Sequence, residues 1–499
     1  MNQPAIPETI PLDNLPSGRD DREGTGYAVR VPVLVFLVSA VFWLLVSSCL
    51  GLLVSTECHR PGSLTIFSNL PWLTFGRVFP AFQNALVYGW LSTAGMGVAI
   101  WLVSQLCNTA HRTGYLPVLS GVTWNIGVGV GILSVLGGGG NGRPLLDFPF
   151  HAAFLLLLGF LFFGIWAVVV IWNRESGSVY VSEWYIFAAL LCFAWSFTTA
   201  NIVLNLPLSS IGPAPGVSQG AIHAWYEKSL FGLWLAPLAL AVAYYIIPKS
   251  LEKPIYSYKL ALLGFWAWIG CAAFSGMTVF IGGPFPVWMV TMGIVANVLA
   301  LIPVLAVAAN FHMTTRSAVE RGGSSLVFRF VALGAMMFTF YGFEAATNSL
   351  RKIGQFTEFT LVILGQNHLF LYGFCSLILF GAIYYLLPRL LDRRIIFEGI
   401  AEFHFWLSVV GFALLWFDLT MGGLIQGFGL QDAKVSMDAI GDLLKPFLMI
   451  QSVAALIIFA ANVTFAITVG LILLLPGRVR NRSDVPETSM ERTPEVTVA

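Results

Sequence analysis

The chain has 499 residues, of which 57% are hydrophobic and only 10% charged, with a mean hydropathy of +0.80 and a formal net charge of +1. Soluble domains carry about 25% charged residues, so this composition excludes a soluble globular protein, and the near-zero net charge argues against nucleic acid as a partner. Cys49, Cys58, Cys107, Cys192, Cys271 and Cys375 are scattered with no C-x-x-C or C-x-x-C-H run, which argues against covalent c-type haem, zinc or thioredoxin-like sites.

Residues 1–30 are mostly polar, and no small-residue cleavage site follows a short apolar core, so no secretory leader is expected. Apolar stretches able to cross a hydrocarbon core of ~30 Å then recur at 31–54, 80–106, 117–137, 150–172, 180–204, 222–247, 257–280, 285–309, 326–348, 360–387, 400–424 and 446–476. Backbone polar groups find no water inside lipid, so these runs predict an all-α polytopic bundle of twelve transmembrane helices over 31–476. Between the third and fourth runs, Gly137–Gly140 with Asn141 and Gly142 lacks the Gly-Lys-Ser/Thr ending of a phosphate loop and reads as a flexible connection. The tail at 477–499, rich in Pro, Glu, Ser and Thr, reads as disordered. Lys249, Lys253, Arg316, Arg321, Arg389, Arg393, Arg394, Arg478, Arg480 and Arg482 all fall on one side of a twelve-helix topology, so both termini are expected in the cytoplasm.

Ionisable groups inside such helices cost free energy and mark either function or a buried pair. The candidates are Glu183, His223, Glu227, Lys228, Glu344, His368, His404 and Asp418. Each is weighed against a charge that reaches a wet helix end or is satisfied by a neighbouring helix. Glu227 and Lys228 are adjacent, so about 100° of helical turn separates their directions, and Glu227 and Glu344 are both left as possible carboxylate partners of Lys228. His404, in Phe403-His404-Phe405-Trp406, reads as a hydrogen-bonded packing residue. His59 and His111 fall in loops, and His151 and His312 near helix ends. The seven histidines never form the H-x-H or adjacent pair that a membrane copper or di-haem site requires.

Several ordered segments resemble subunit I of the cbb3-type (C-family) cytochrome c oxidases of the haem–copper oxidase superfamily. They are Leu70-Pro71-Trp72-Leu73-Thr74-Phe75-Gly76-Arg77, Tyr180-Val181-Ser182-Glu183-Trp184-Tyr185, Trp225-Tyr226 with Gly232, and Tyr244-Tyr245-Ile246-Ile247-Pro248-Lys249. Pro254-Ile255-Tyr256-Ser257-Tyr258-Lys259-Leu260, Phe265-Trp266, Phe343-Glu344, Pro388-Arg389, His404-Phe405-Trp406 and Gln426-Gly427 continue the likeness, which spans roughly residues 30–475. At the tenth helix, Gly365-Gln366-Asn367-His368 stands where the resemblance implies Gly-His-X-His.

The resemblance implies six metal-ligand positions. Phe82 and His368 fall at the pair that clamps the low-spin haem, and Gln366 at the ligand of the active-site haem. Lys228, Thr278 and Val279 fall at or near the copper ligands, and Ala272 at the cross-linked tyrosine. No histidine lies between Gly264 and Pro286, so this reading survives a small register error. Copper held by imidazoles needs about three of them in fixed geometry, so copper is not expected. His368 is the one retained position and the candidate ligand of a single haem b; its alternative is a hydrogen-bonded packing role.

These residues imply a degenerate active site and a non-catalytic paralogue: a structural or assembly subunit of a respiratory electron-transfer complex, partnered by other membrane subunits in a bacterial-type inner membrane. Oxygen reduction by the chain is not expected. Two alternatives are carried. One is an active haem oxidoreductase of terminal-oxidase type with altered ligands. The other is a membrane protein binding a small molecule or ion in the emptied cavity, with Lys228 and Glu344 as its polar groups.

Overall fold

The computed structural model describes residues 19–63, 70–107, 114–174, 179–205, 216–319, 325–393, 395 and 397–475, with side chains described from 29 onward except at 317–319. The terminal segments at 1–18 and 476–499, His111, Arg321 and Arg394 lie outside these residues.

Twelve helices are long and apolar enough to cross a membrane, and no strand occurs among the described residues. They are α1 (Val29–His59), α2 (Phe75–Cys107), α3 (Tyr115–Leu136), α4 (Phe150–Trp172), α5 (Val181–Asn205), α6 (Val217–Leu251), α7 (Tyr258–Phe280), α8 (Val287–Arg316), α9 (Leu326–Ser349), α10 (Leu361–Leu391), α11 (Glu398–Gln431) and α12 (Met437–Leu474). Each lies on the span expected from hydropathy. The difference lies at the ends: α12 begins at Met437 rather than near 446, because its first turns carry exposed Asp442 and Lys445, which pair at 2.7 Å. At 1.5 Å per residue, a helix of this length outreaches a hydrocarbon core of about 30 Å.

Three helices form the centre. The apolar windows of α2 and α6 are wholly buried and that of α10 almost so, as a helix that is apolar all round requires. Each contains a π-helical stretch, at Ala85–Ser92, Leu230–Leu235 and Leu369–Ser376. Tryptophan indoles tie them together: Trp90 Nε1 donates to Ser376 Oγ at 2.9 Å, and Trp234 Nε1 donates to Ser92 Oγ at 2.9 Å. Further along, Trp101, Tyr245 and Tyr385, one from each helix, meet edge to face at ring-centroid distances of 5.4–6.5 Å.

α6 and α10 also share an internal repeat. Tyr244-Tyr245-Ile246-Ile247-Pro248-Lys249 matches Tyr384-Tyr385-Leu386-Leu387-Pro388-Arg389, and both helices end on a left-handed acidic residue, Glu252 (φ 52°) and Asp392 (φ 50°). In this repeat Lys228 and His368 are equivalent, since each lies sixteen residues before the first tyrosine (244 − 228 = 384 − 368).

The glycine run after α3 closes an ordered turn rather than a loose connection. Gly139 N–H donates to Ser134 O at 2.7 Å, and Gly138, at φ +93°, lies against the Arg77 guanidinium. Packing tolerance is tightest where α11 crosses the start of α10, where a Cβ on Gly423 would lie 2.1 Å from Val362 N. Gly423→Ala should therefore destabilise the fold by about 1–3 kcal/mol or more through overpacking. Gly470→Ala, where nothing lies within 4 Å, should be near neutral. Thermal unfolding of the detergent-purified variants checks both.

Candidate functional site

The first turns of α10 are held firmly. Thr360 Oγ1 accepts from Val362 N–H at 3.3 Å, Gln426 Oε1 accepts from Leu361 N–H at 2.9 Å, and Gly365 lets Leu419 and Thr420 of α11 approach. Two turns on, His368 Nδ1 lies 2.8 Å from Leu364 O. That contact makes Nδ1 the protonated nitrogen and leaves Nε2 with its lone pair, the tautomer suited to ligation.

His368 lines a cavity of about 250 Å³ bounded by α1, α2, α10, α11 and α12. Its walls are mainly apolar, including Phe79, Phe82, Leu86, Leu415 and Phe459, and Phe75 is exposed at its rim. On the polar side a chain of bonds runs from Tyr372 Oη to Asn462 Oδ1 (3.2 Å) and from Asn462 Nδ2 to Ser48 Oγ (2.7 Å). Gln451, 7% exposed, also lines the cavity and its Oε1 has no partner among the described residues. The Phe82 ring lies over Gly51 of α1, so close that a Cβ there would be 2.9 Å from ring carbon Cε2. A smaller void of about 40 Å³ adjoins, and Phe82, Leu86, Leu364 and His368 line both. The two expected low-spin haem positions, 82 and 368, therefore border one space.

A haem would find there one imidazole donor and mainly apolar walls, with Gln83, Glu227 and Asn367 also lining the smaller void. His368 supplies a free imidazole nitrogen, and the walls are aromatic and aliphatic. Neither void is lined by a lysine or arginine, so the carboxylates of a haem would find solvation only towards the exposed rim.

The space around Lys228 is different. Lys228 lines a void of only about 20 Å³ with Gly232, Ala272, Ser275, Asn297 and Tyr341. Such a volume accommodates about one water molecule. Trp268 and Tyr341 supply its rings, and behind it Tyr341 packs at 4.8 Å on Phe370, which stacks on Phe231 at 5.2 Å and 8°. α6 and α7 approach so closely that a Cβ on Gly232 would meet Ala272 Cβ at 2.9 Å. The Gln366 amide is engaged elsewhere, its Oε1 accepting from Asn348 Nδ2 at 2.8 Å.

Thr278 and Val279 occupy a 3-10 turn, Ser275–Phe280, where Thr278 Oγ1 donates to Ser275 O at 3.2 Å. Neither lines the Lys228 void. The fold thus brings Lys228 to Ala272 and Phe82 to His368, and leaves Gln366, Thr278 and Val279 away from both voids.

The titratable groups that act electrostatically on Lys228 are Tyr341, Glu227 and Glu358. Glu344, the other expected partner, accepts instead from Trp416 Nε1 at 3.1 Å and lines neither void. Glu358 escaped the sequence reading because it lies in the connection between α9 and α10, outside the spans searched for charges. Burial pushes its carboxyl up to about 7, Lys228 opposes that rise and Glu227 adds to it. Among the remaining candidates, Glu183 pairs with Arg174 at 3.3 Å and His223 Nε2 lies 2.8 Å from Pro144 O. His404 is fully buried with Nδ1 3.0 Å from Tyr384 Oη, as a packing histidine should be. Asp418 is buried with both carboxylate oxygens unpartnered among the described residues.

A family model described as "Cytochrome C and Quinol oxidase polypeptide I" matches residues 31–457. A cytochrome c oxidase subunit 1 homolog of Azorhizobium caulinodans is 26% identical over 409 residues, covering 79% of this chain and 72% of the relative. The cbb3-type cytochrome c oxidase subunit CcoN1 of Stutzerimonas stutzeri is 24% identical over 408 residues, covering 81% and 85%. Among solved structures, a heme-copper terminal oxidase dimer superposes with a TM-score of 0.71 at 14% identity, covering 91% of this chain and 85% of that one.

Two outcomes follow from the Lys228 cluster. Lys228→Met should lower thermal stability, because it removes the cation that favours the Glu358 carboxylate. The loss should be less than the about 3–5 kcal/mol of a broken buried pair, since Lys228 and Glu358 are both half-buried. Lys228→Met combined with Glu358→Gln should recover part of the loss. The folded-state carboxyl of Glu358 lies above its usual value, so its contribution is full below the ordinary carboxylate range and is lost as pH rises through about 7. Melting scans from pH 5 to 8 should show this decline in the wild type and a flatter profile in Glu358→Gln.

Proposed function

The chain belongs to the cytochrome c and quinol oxidase polypeptide I family, and we propose that it is a non-catalytic member whose binuclear centre has been packed shut. It serves as a structural or assembly subunit of a respiratory complex, alongside other membrane subunits. One observation carries this reading. The space at Lys228 admits about one water and is bounded by Trp268, Ala272 and Tyr341, whereas the space at His368 is about 250 Å³. The chemistry of the residues agrees, since no imidazole lines the Lys228 void and Gln366 is bonded to Asn348. Lys228, with Glu227 and Glu358 near it, supplies a fixed cation where the family places copper. A molecule larger than water in that void, the emptied-cavity reading, is not favoured by its volume.

The altered-ligand reading is favoured at one position only. His368, its Nδ1 proton committed to Leu364 O, would hold one haem b, which supplies one-electron chemistry when bound. The residues around it exclude water with aromatic and aliphatic walls and present Gln451 and Asn462 as polar contacts. The basic loops support the reading that both termini are cytoplasmic, and the bacterial relatives support a bacterial-type inner membrane.

The protein purified with its partners should contain at most one haem and no copper per chain, by metal analysis and a reduced-minus-oxidised spectrum. His368→Ala should remove that haem signal. Copper at one per chain, or a second haem, would overturn the proposal.

A further inference from the structure

Three oxygen-bearing side chains, one from each central helix, meet where those helices converge. Gln83 of α2, Glu227 of α6 and Asn367 of α10 line the void of about 40 Å³ that adjoins the main cavity. Gln83 Oε1 and Asn367 Oδ1 are fully buried and accept from no donor among the described residues. The rest of the wall is mainly apolar, with Leu86, Val87 and Phe231, and no lysine or arginine lines it.

The three positions are equivalent in the frame. Each stands eighteen residues before the ring that its helix gives to the edge-to-face cluster of Trp101, Tyr245 and Tyr385 (101 − 83 = 245 − 227 = 385 − 367). Each also lies just ahead of the π-helical stretch of its helix, which begins at Ala85, Leu230 or Leu369. The side chains therefore share one level of the bundle. Acceptor oxygens stranded at such a place cost free energy unless a donor or a cation stands between them.

We infer that this void binds a monovalent cation of sodium's size, held by Gln83 Oε1, Asn367 Oδ1 and the Glu227 carboxylate, with water completing the shell. The volume has room for such an ion and about one water. Carboxylate and amide oxygens are ligands of hard cations, and carbonyl oxygens coordinate sodium at the midplane of membrane transporters. His368 also lines the void, but a copper or zinc site calls for more nitrogen or sulfur than one imidazole supplies. Charge selects the valence. Glu227 is the one carboxylate lining the void among the described residues, so a monovalent ion is neutralised there. A divalent ion would keep a charge within reach of Lys228, which acts on Glu227 but lines the other void and has Glu358 as a further counter-charge. One ion touching α2, α6 and α10 together would fix their spacing about two turns from the Trp90–Ser376 and Trp234–Ser92 bonds. Neither haem at His368 nor the loss of copper is needed for it.

The full chain, purified with its partners in choline chloride, is titrated with sodium chloride at constant ionic strength while thermal unfolding is followed. The midpoint should rise and saturate with sodium, and rise less with potassium or calcium. Glu227→Gln should lose the sodium-dependent rise, and Asn367→Leu should weaken the apparent sodium affinity by about tenfold or more. Equal midpoints in sodium and choline would mean that water alone fills the void and would overturn the inference. So would a larger rise with calcium than with sodium, or a sodium response that survives Glu227→Gln. The wild-type titration decides even if a variant fails to fold, and it decides equally in a preparation that carries no haem.

Discussion

The close contact of three helices whose apolar windows are almost wholly buried, α2, α6 and α10, sets the terms for everything else in this protein. A helix buried on every side has no lipid-facing stripe, so its position is fixed by side-chain interdigitation and by the few polar bonds available inside the bundle. Here those bonds are indole N–H groups to serine hydroxyls, Trp90 to Ser376 and Trp234 to Ser92. They join the helices just where each is locally widened by a π-helical stretch. An unmade bond at such a place would leave a donor stranded in hydrocarbon, which explains why the tie points are paired so completely.

From this frame α6 and α10 present two related positions, Lys228 and His368, and the frame has given them opposite fates. Around His368 the neighbours are contributed by α1, α11 and α12, and they stand back far enough to leave a cavity. Around Lys228 the neighbours come from α7, α8 and α9, and they leave a space of only about 20 Å³, with Trp268 and Tyr341 among its walls. Lys228 cannot leave its charge uncompensated at that depth. The answer lies in Glu227 beside it and Glu358, which enters from the connection ahead of α10. A buried cation with carboxylates nearby is a self-contained arrangement, whereas an imidazole with a free nitrogen on an apolar cavity is an incomplete one.

Much of the candidate site was legible because it depended on residue identity alone. Phenylalanine at 82 has no donor atom, lysine at 228 could ligate only as the free amine and glutamine at 366 is a poor iron ligand, and His404 reads as a packing residue from its aromatic neighbours. Glu344 was less legible. Its place on α9 suggested a partner for Lys228, but helical phase turns it to Trp416 of α11. Glu358 was invisible to a search for charges inside apolar runs, since it approaches the membrane part from a connecting segment. Tyr341 carried a usable signal, one helical turn before Glu344 on the same helix, and the repeat shared by α6 and α10 carried another.

The sequence by itself determined the membrane class, the twelve spans and the scatter of seven histidines with no H-x-H or adjacent pair, because hydropathy and residue identity are properties taken along the chain. Only the tertiary structure decided which former ligand position still borders an open space. Volume inside a bundle is set by side chains from helices far apart in sequence, here Trp268, Asn297 and Tyr341 bounding one site and Gly51 receiving the ring of Phe82 at the other. No linear pattern encodes that difference, because the same residue types fill a void or line one depending on how the neighbouring helices are turned.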